Sequence, residues 1–369
     1  MAQYKTLVDK VSIPPNMKTK QKDYESQGTL AIVDQGKKLI GGYTNNAEMA
    51  LQCKLPVIVF GDHTCAVKFV NFPFGAGADG IKVLSPKSGI LPKYLFYGTQ
   101  YLTLRFPDKG YARHYQHIEK MDLPVPSIET QQNIVSSIEE LFSELDKGVE
   151  TLQTIKEQLA VYRQAVLKEA FEPITQYIPF ENCMDSRLGK MLDKEKNTGT
   201  FHKYLRNVNV RWFSFDLSDL LEMRIEDSEI EKYTISYGDL VICEGGEPGR
   251  CSVWTKDKTI CYQKALHRVR FTDGSNPYFY MYYLWFAAQI GKLTEYYTGT
   301  GIKHLTGQSL IKIPVPTTTR ATQDKIVEII ESRLSVCDSI ERTVDTALAQ
   351  AEAMRQSILK KAFEGELCK

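Results

Sequence analysis

The chain has no C-x-x-C pair, no P-loop, no H-E-x-x-H and no uninterrupted apolar run of membrane-spanning length. Its eight cysteines (Cys53, Cys65, Cys183, Cys243, Cys251, Cys261, Cys337 and Cys368) are scattered. That spacing argues against a disulfide framework or a structural zinc, and for a reducing cytoplasm. A bilayer span takes about 18 apolar residues. The start, Met1-Ala2-Gln3-Tyr4-Lys5, also lacks the apolar run of a secretory signal. A cytoplasmic protein with no membrane partner is expected.

Motifs for chemistry fail on context. Gly75-Ala76-Gly77-Ala78-Asp79-Gly80 fits G-x-G-x-x-G, but Pro73 precedes it and the strand-like Ile81-Lys82-Val83-Leu84 follows. A dinucleotide loop needs a strand before and a helix after. An amino-methyltransferase needs an acidic residue or Asn before Pro-Pro-aromatic; Ile13-Pro14-Pro15-Asn16 and Asn276-Pro277-Tyr278 only approach it. Of six histidines only His114 and His117 lie close together, with no cysteine to complete a metal set. The expectation is a chain that is not an enzyme and holds no metal.

What is present is length, globular composition and a repeat. At 369 residues and 43% hydrophobic, the chain is long enough for several folded domains. The net charge of +1 hides an uneven distribution. Residues 1–129 carry 16 basic and 11 acidic groups, and residues 130–172 carry 4 and 8. Residues 173–319 carry 18 and 17, and residues 320–369 carry 8 and 9. A polyanion would therefore meet the larger segments rather than the shorter ones.

Residues 130–172 align without gaps to 322–364 at a constant offset of 192. About 18 of roughly 43 pairs are identical, the mark of a duplicated module. Pro124-Val125-Pro126 recurs as Pro314-Val315-Pro316, two residues adrift of that offset. The chain reads as large, small, large, small: 1–126, 127–172, 173–318 and 319–369.

Both small segments read as long helices. In the first, Ile134, Ile138, Leu141, Leu145, Leu152, Ile155, Leu159, Tyr162 and Val166 form a heptad seam with one lapse at Gly148. The second offers Ile330, Cys337, Ile340, Val344, Ala347, Ala351, Met354 and Ile358. Proline closes each entrance (Pro126, Pro316), and Ser127 and Thr319 suit the N-cap. About 40 residues at about 1.5 Å each make a rod of roughly 60 Å. Because the first rod leads into the second large segment and the second leads out of it, the simplest partner for each seam is the other rod. The expected fold class is therefore α/β (α+β), with two globular mixed domains separated by two helices in an antiparallel, pseudo-twofold coiled coil. The competing arrangement packs each helix on its own domain.

The large segments are only distantly alike. Strand-like runs occur at 55–60, 80–84, 239–243 and 267–271, and aromatic-rich helices at 92–104 and 277–293. Tyr94, Phe96, Tyr97, Tyr101, Tyr282, Trp285 and Phe286 there suit a core better than a base-stacking platform. Arg113-His114 stands at the same distance before its Pro-Val-Pro as Lys303-His304 does before the other. Polar loops carry Gln35-Gly36-Lys37-Lys38, Tyr43-Thr44-Asn45, Asp62-His63-Thr64, Gly249-Arg250 and Gln263-Lys264. Arg, Lys, Asn and Gln can pair with base edges in the major groove, while Lys, Thr and backbone amides beside glycine suit phosphate. A solvated loop accounts for any one of these residues. As a doubled set they favour nucleic acid.

Two unlike domains alternating with two matching helices resemble the specificity subunit of Type I restriction–modification systems, over the whole chain. The most specific carriers are the doubled Pro-Val-Pro, Gln131-x-x-Ile134-Val135 with Gln323-x-x-Ile326-Val327, and the endings Arg163-Gln164 to Phe171-Glu172 and Arg355-Gln356 to Phe363-Glu364. Val33-Asp34-Gln35-Gly36-Lys37-Lys38 with Phe60-Gly61-Asp62-His63-Thr64 is similar to one class of target recognition domain. Tyr237-Gly238-Asp239-Leu240 with Gln263-Lys264-Ala265-Leu266-His267-Arg268 is similar to another. The resemblance implies that each domain reads one half of a bipartite, asymmetric site on double-stranded DNA, and that the helices fix the gap. It also implies docking of two methyltransferase (modification) subunits and association with restriction/translocase subunits. S-adenosylmethionine, ATP and Mg would sit on those partners, with no cofactor in this chain.

On this basis the expected DNA contacts are Lys37, Lys38, Tyr43, Thr44, Asn45, His63, Thr64, Arg113, His114, Arg250, Lys264, His267, Arg268, Lys303 and His304. The expected partner contacts are Gln131, Arg163, Gln164, Phe171, Gln323, Arg355, Gln356 and Phe363. Two other functions compete: a self-contained DNA methyltransferase or nuclease, and a coiled-coil scaffold that binds only protein.

Overall fold

A computed structural model describes all residues except 78–79, 106–111, 194, 196 and 368–369. The chain divides into two compact units, Met1–Gln153 with Asp345–Lys369, and Thr154–Val344. Two continuous helices, Ile128–Phe171 and Arg320–Glu364, contribute one end to each unit. Both begin as expected: Ser127 Oγ accepts the Thr130 amide at 3.2 Å, and Thr319 Oγ1 accepts the Thr322 amide at 3.3 Å. These bonds satisfy amides that a helix start leaves unpaired. Gly148 does not break the first helix.

Within each unit the two helix ends lie side by side and antiparallel. In the first unit the Arg355 guanidinium pairs with Asp146 and covers the Phe142 ring at 4.6 Å. In the second, Arg163 pairs with Asp338 at 2.6 Å and Glu341 at 2.8 Å, and Arg333 with Glu169 at 2.5 Å. Most seam residues are buried or half-buried, but Tyr162, Ile340 and Met354 are exposed at 47%, 40% and 54%. A 3.6-residue helix drifts about 20° per heptad away from a 3.5-residue stripe, which carries some seam positions out of contact.

The first unit holds two four-stranded sheets. The inner one runs Val8–Val11, Ile81–Pro86, Val57–Gly61, Val67–Val70, all neighbours antiparallel. Its strand Val57–Gly61 is buried throughout, which accounts for a continuous apolar run instead of alternation. The outer sheet runs Lys18–Thr19, Phe74–Gly77, Leu30–Val33, Gly42–Thr44, with Leu30–Val33 parallel to Phe74–Gly77. Gly75 and Gly77 thus lie inside a buried strand; Ala78 and Asp79 of that glycine motif lie outside the described residues.

The second unit repeats this plan. Its inner sheet runs Met184–Leu188, Leu266–Phe271, Leu240–Cys243, Cys251–Val253. Its outer sheet runs Leu221–Ile225, Thr200–Leu205, Ile260–Tyr262, Thr234–Ile235, again with one parallel pair at its centre.

One aromatic helix in each unit, Pro92–Thr103 and Pro277–Gln289, joins sheet to rod, each opened by proline at its first turn. Tyr94 Oη donates to the Pro124 carbonyl at 2.9 Å, and Tyr283 Oη to the Pro314 carbonyl at 2.8 Å. Tyr94, Tyr97, Tyr101 and Tyr282 are buried and Phe96, Trp285 and Phe286 half-buried, so these rings build core. Cys53, Cys183, Cys243, Cys251, Cys261 and Cys337 are free thiols; Cys368 lies outside the described residues. Among the described residues no helix is long and apolar enough to cross a membrane.

Candidate functional site

In the first unit three loops converge at one end of the inner sheet. Thr64 Oγ1 donates to the Gln35 carbonyl at 2.5 Å, tying 34–38 to 61–65. His63 Nδ1 lies 3.0 Å from the Ala112 carbonyl, and the His114 amide donates to the Asp62 carbonyl at 2.8 Å, tying 61–65 to 112–115. Gly61 permits the approach, since a Cβ there would meet Thr64 Oγ1 at 2.4 Å and the Gln35 carbonyl at 3.0 Å.

The acids of these loops turn inward. Asp34 accepts the Gly36 amide at 2.9 Å and lies 3.3 Å from the buried Lys68 ammonium. Asp62 accepts the Tyr115 amide at 2.9 Å and lies 3.6 Å from Lys82. Lys37, Lys38, Thr64 and Arg113 are exposed beside them and His63 is half-buried. The loop cluster therefore presents cations outward while its carboxylates are neutralised within, which suits an anionic partner. Tyr43 and Thr44 are half-buried on the neighbouring edge strand. Asn45 is exposed but already used, accepting the Thr29 amide at 3.2 Å and donating to Glu25 at 2.7 Å.

The second unit gathers a comparable cluster. The Asn207 side-chain amide donates to the Gly245 carbonyl, and Arg250 Nη2 donates to the Asn207 carbonyl at 3.0 Å. The Leu305 amide donates to the Glu244 carbonyl at 2.6 Å, bringing 298–305 onto this loop. The Lys264 amide donates to the Lys190 carbonyl at 2.7 Å. Lys264, Lys303 and His304 are exposed; Arg250 is half-buried and pairs with Glu247 at 2.9 Å.

Several expected contacts are interior. His114 is buried, at the start of the helical turn Tyr115–Ile118. His304 instead lies exposed two residues ahead of Thr306, which caps the turn Gly307–Leu310. The shared frame before Pro-Val-Pro thus slips by two residues, because each turn starts at its own cap. His267 is 1% exposed, with Nε2 2.9 Å from the Leu305 carbonyl, and burial lowers its pKa below the ordinary 6.5. Arg268 is 4% exposed and donates from Nη1 to the Thr234 carbonyl at 3.1 Å and the Lys232 carbonyl at 3.2 Å. Both lie on a central strand, where side chains on either face meet packed layers.

The expected partner contacts divide likewise. Gln131 is fully buried: Oε1 accepts the Leu91 amide at 2.9 Å while Nε2 donates to the Gly89 and Pro126 carbonyls. Gln323 does the same in the second unit, accepting the Asn276 amide at 2.7 Å. Each glutamine therefore fastens a long helix to the start of an aromatic helix. Phe171 packs against Phe279, Tyr283 and Phe286, and Phe363 against Tyr94 and Tyr101. These four repeated residues are anchors within the fold, not exposed contacts. Gln164 and Gln356 are exposed, whereas Arg163 and Arg355 are half-buried in the ion pairs above.

The residue that sequence reasoning passed over is Asn207. Among the described residues, its Oδ1 is buried without a hydrogen-bond partner beside the glycine loop. Gln35, already in a candidate loop, has an Oε1 in the same condition. A buried acceptor left unmade is costly, and no sequence pattern marks it.

Known proteins resemble this chain in sequence and in fold. Residues 183–350 match the family model for the Type I restriction modification DNA specificity domain. The specificity subunit of the Type I restriction enzyme EcoKI from Escherichia coli (strain K12) is 26% identical over 268 residues, covering 67% of this chain and 58% of that protein. The chain thus spans less than two thirds of that relative's length. The StySPI specificity subunit from Salmonella potsdam is 21% identical across 97% of this chain and 79% of its own. In fold, a chain from a solved type I R-M system complex aligns with a TM-score of 0.71 at 14% identity, over 99% of this chain and 97% of that one. The HsdS subunit from Thermoanaerobacter tengcongensis aligns at 0.54 and 15% identity, over 99% and 96%.

Proposed function

We propose, from the premise that this chain is a member of the Type I restriction–modification specificity subunits, that it is the non-catalytic DNA reader of such a complex. Residues 1–126 and 173–318 act as its two target recognition domains. Each reads one half of a bipartite, asymmetric site on double-stranded DNA, and the paired helices fix the gap. S-adenosylmethionine-dependent methylation belongs to two modification subunits docked on the chain, and ATP- and Mg-dependent translocation to restriction subunits. The observation that carries the reading is the doubled loop cluster with cations outward: Lys37, Lys38 and Arg113 in one unit, Lys264 and Lys303, with the exposed His304 beside them, in the other. The carboxylates Asp34 and Asp62 of the first cluster are held inside.

The joint variant Lys37→Glu/Lys38→Glu tests it, beside Lys264→Glu. Affinity for DNA carrying the site should fall steeply with salt, and each lost phosphate contact should reduce the slope by about one. Sequencing of methylated adenines in a host expressing the complex should show one half-site relaxed by the first variant and the other by the second. Loss at both halves from either variant would refute independent readers. Methyl transfer by the chain alone would refute the division of labour.

A further inference from the structure

We propose that Ile302 determines specificity in the second recognition domain by reading the C5 methyl group of one thymine in the major groove of its half-site. This deepens the DNA-reading function proposed above and rests on it. Among the described residues, Ile302 is the most exposed large apolar side chain of the second unit, at 73%. A single exposed isoleucine is ordinary on a protein surface. What sets this one apart is how it is held and what surrounds it.

Its loop is braced from within. The Thr298 amide donates to the His304 carbonyl at 2.8 Å, and the His304 amide to the Thr298 carbonyl at 2.9 Å. Thr298 Oγ1 donates to the same His304 carbonyl at 3.3 Å, and Lys303 Nζ to the Gly299 carbonyl at 2.9 Å. Gly299 holds φ at 95°, and a Cβ there would collide with the Ile302 carbonyl, so the tip closes only on glycine. Both ends of the loop are fastened to the glycine loop 244–250. Tyr297 Oη donates to the Pro248 carbonyl at 2.7 Å, and the Leu305 amide to the Glu244 carbonyl at 2.6 Å. Between them the His304 ring lies against Gly245, where a Cβ would meet its Nδ1 at 3.1 Å. Ile302 therefore sits on a preorganised tip, with little conformational entropy left to lose on binding.

The surroundings select the partner. Lys303 is exposed, and its ammonium meets a carbonyl instead of a carboxylate, so its charge stays available to a polyanion. The neighbouring acid Glu247 is engaged by Arg250 at 2.9 Å and by Trp212 Nε1 at 2.7 Å. Lys264 belongs to the same edge, since the Ala265 carbonyl beside it accepts the Glu244 amide at 2.9 Å. Phosphates suit these cations but offer an isoleucine nothing to bury against. On the base edges of a duplex the apolar group is the thymine C5 methyl, displayed in the major groove; the minor groove shows none. Lys303 on a phosphate would seat Ile302 at that methyl, so one residue fixes position and its neighbour reads the base.

The test is equilibrium binding of the full chain, in complex with its modification subunits, to duplexes in which each thymine of the site is replaced in turn by deoxyuridine. That change removes one methyl group and leaves base pairing intact. A half-site that holds an adenine for methylation also holds its thymine partner, so the scan has a target in each half. For wild type, one position in the half-site relaxed by Lys264→Glu should cost about fourfold, the worth of one buried methyl group. Ile302→Ala should weaken binding to the thymine duplex about three- to tenfold and bind its uridine form equally well, a non-additivity that marks direct contact. Its salt slope should match wild type, whereas Lys303→Gln should lower the slope by about one and keep the thymine preference. Both positions are exposed, so unchanged melting shows that each variant is folded. If no thymine in that half-site matters, or Ile302→Ala keeps the full uridine penalty, the role of Ile302 is overturned, while steep salt dependence in wild type leaves the DNA-reading function standing. A flat salt response in wild type overturns both.

Discussion

The inner sheets of the two units share one strand order, whereas the outer sheets are finished differently. In the first unit the edge strand Lys18–Thr19 comes from before the sheet's other strands and pairs parallel to Phe74–Gly77. In the second it is Thr234–Ile235, which arrives late and pairs antiparallel to Ile260–Tyr262. The second unit also has a hairpin, Val210–Arg211 with Ser214–Phe215, without a counterpart among the described residues of the first. What stays constant is the portion that grips the long helices; what varies is the portion farther along the sheet. An edge can be rebuilt without disturbing packed neighbours, while an anchor buried on all sides cannot.

The largest test of that contrast is to remove the anchors. Phe171→Ala and Phe363→Ala should each cost about 3–5 kcal/mol, because each ring is buried among aromatic partners. Hydrogen exchange resolved by unit should show Phe171→Ala loosening Thr154–Val344 and Phe363→Ala loosening the other unit first. Equal loosening of both units by either change would mean that the halves are not separately anchored.

Gln131→Leu and Gln323→Leu should each cost about 1–3 kcal/mol, since the Leu91 and Asn276 amides would lose their acceptors. Chemical denaturation with unchanged m-value would report it. A cost at only one position would break the equivalence of the two joints.

A pH difference should separate the units. Burial depresses the His267 pKa, so the folded second unit favours the neutral ring while the unfolded chain protonates near 6.5. The unfolded state then binds more protons, so this contribution is complete above pH 6.5 and is lost as pH falls through the folded value. The corresponding strand Ile81–Pro86 has no histidine. Thermal melts from pH 7.5 to 5 should show the second unit weakening more, and His267→Gln should flatten that slope.

The smallest effect is at Gly148, whose repeat counterpart is Ile340. A Cβ at Gly148 meets nothing within 4 Å. Gly148→Ala should therefore stabilise the helix by up to about 1 kcal/mol, read as a small rise in melting temperature.

The repeat, the helix starts at Ser127 and Thr319 and the central strands were legible because each is written locally, in periodicity, caps and apolar runs. The aromatic helices were legible as core for the same reason. The surface was not. His114, His267 and Arg268 carry the right chemistry for DNA, and Gln131, Gln323, Phe171 and Phe363 are the most recognisable residues of the repeat. All seven are nonetheless interior.

By itself, the sequence determined that two long helices form, where they start, and that a duplicated frame carries two dissimilar mixed domains; near-neighbour spacing contains that information. Only the tertiary structure decided which polar side chains reach solvent and which fasten the frame together. Burial depends on partners brought together from distant points of the chain, as when Gln131 meets Leu91 or Phe363 meets Tyr101, and no local pattern encodes such a meeting.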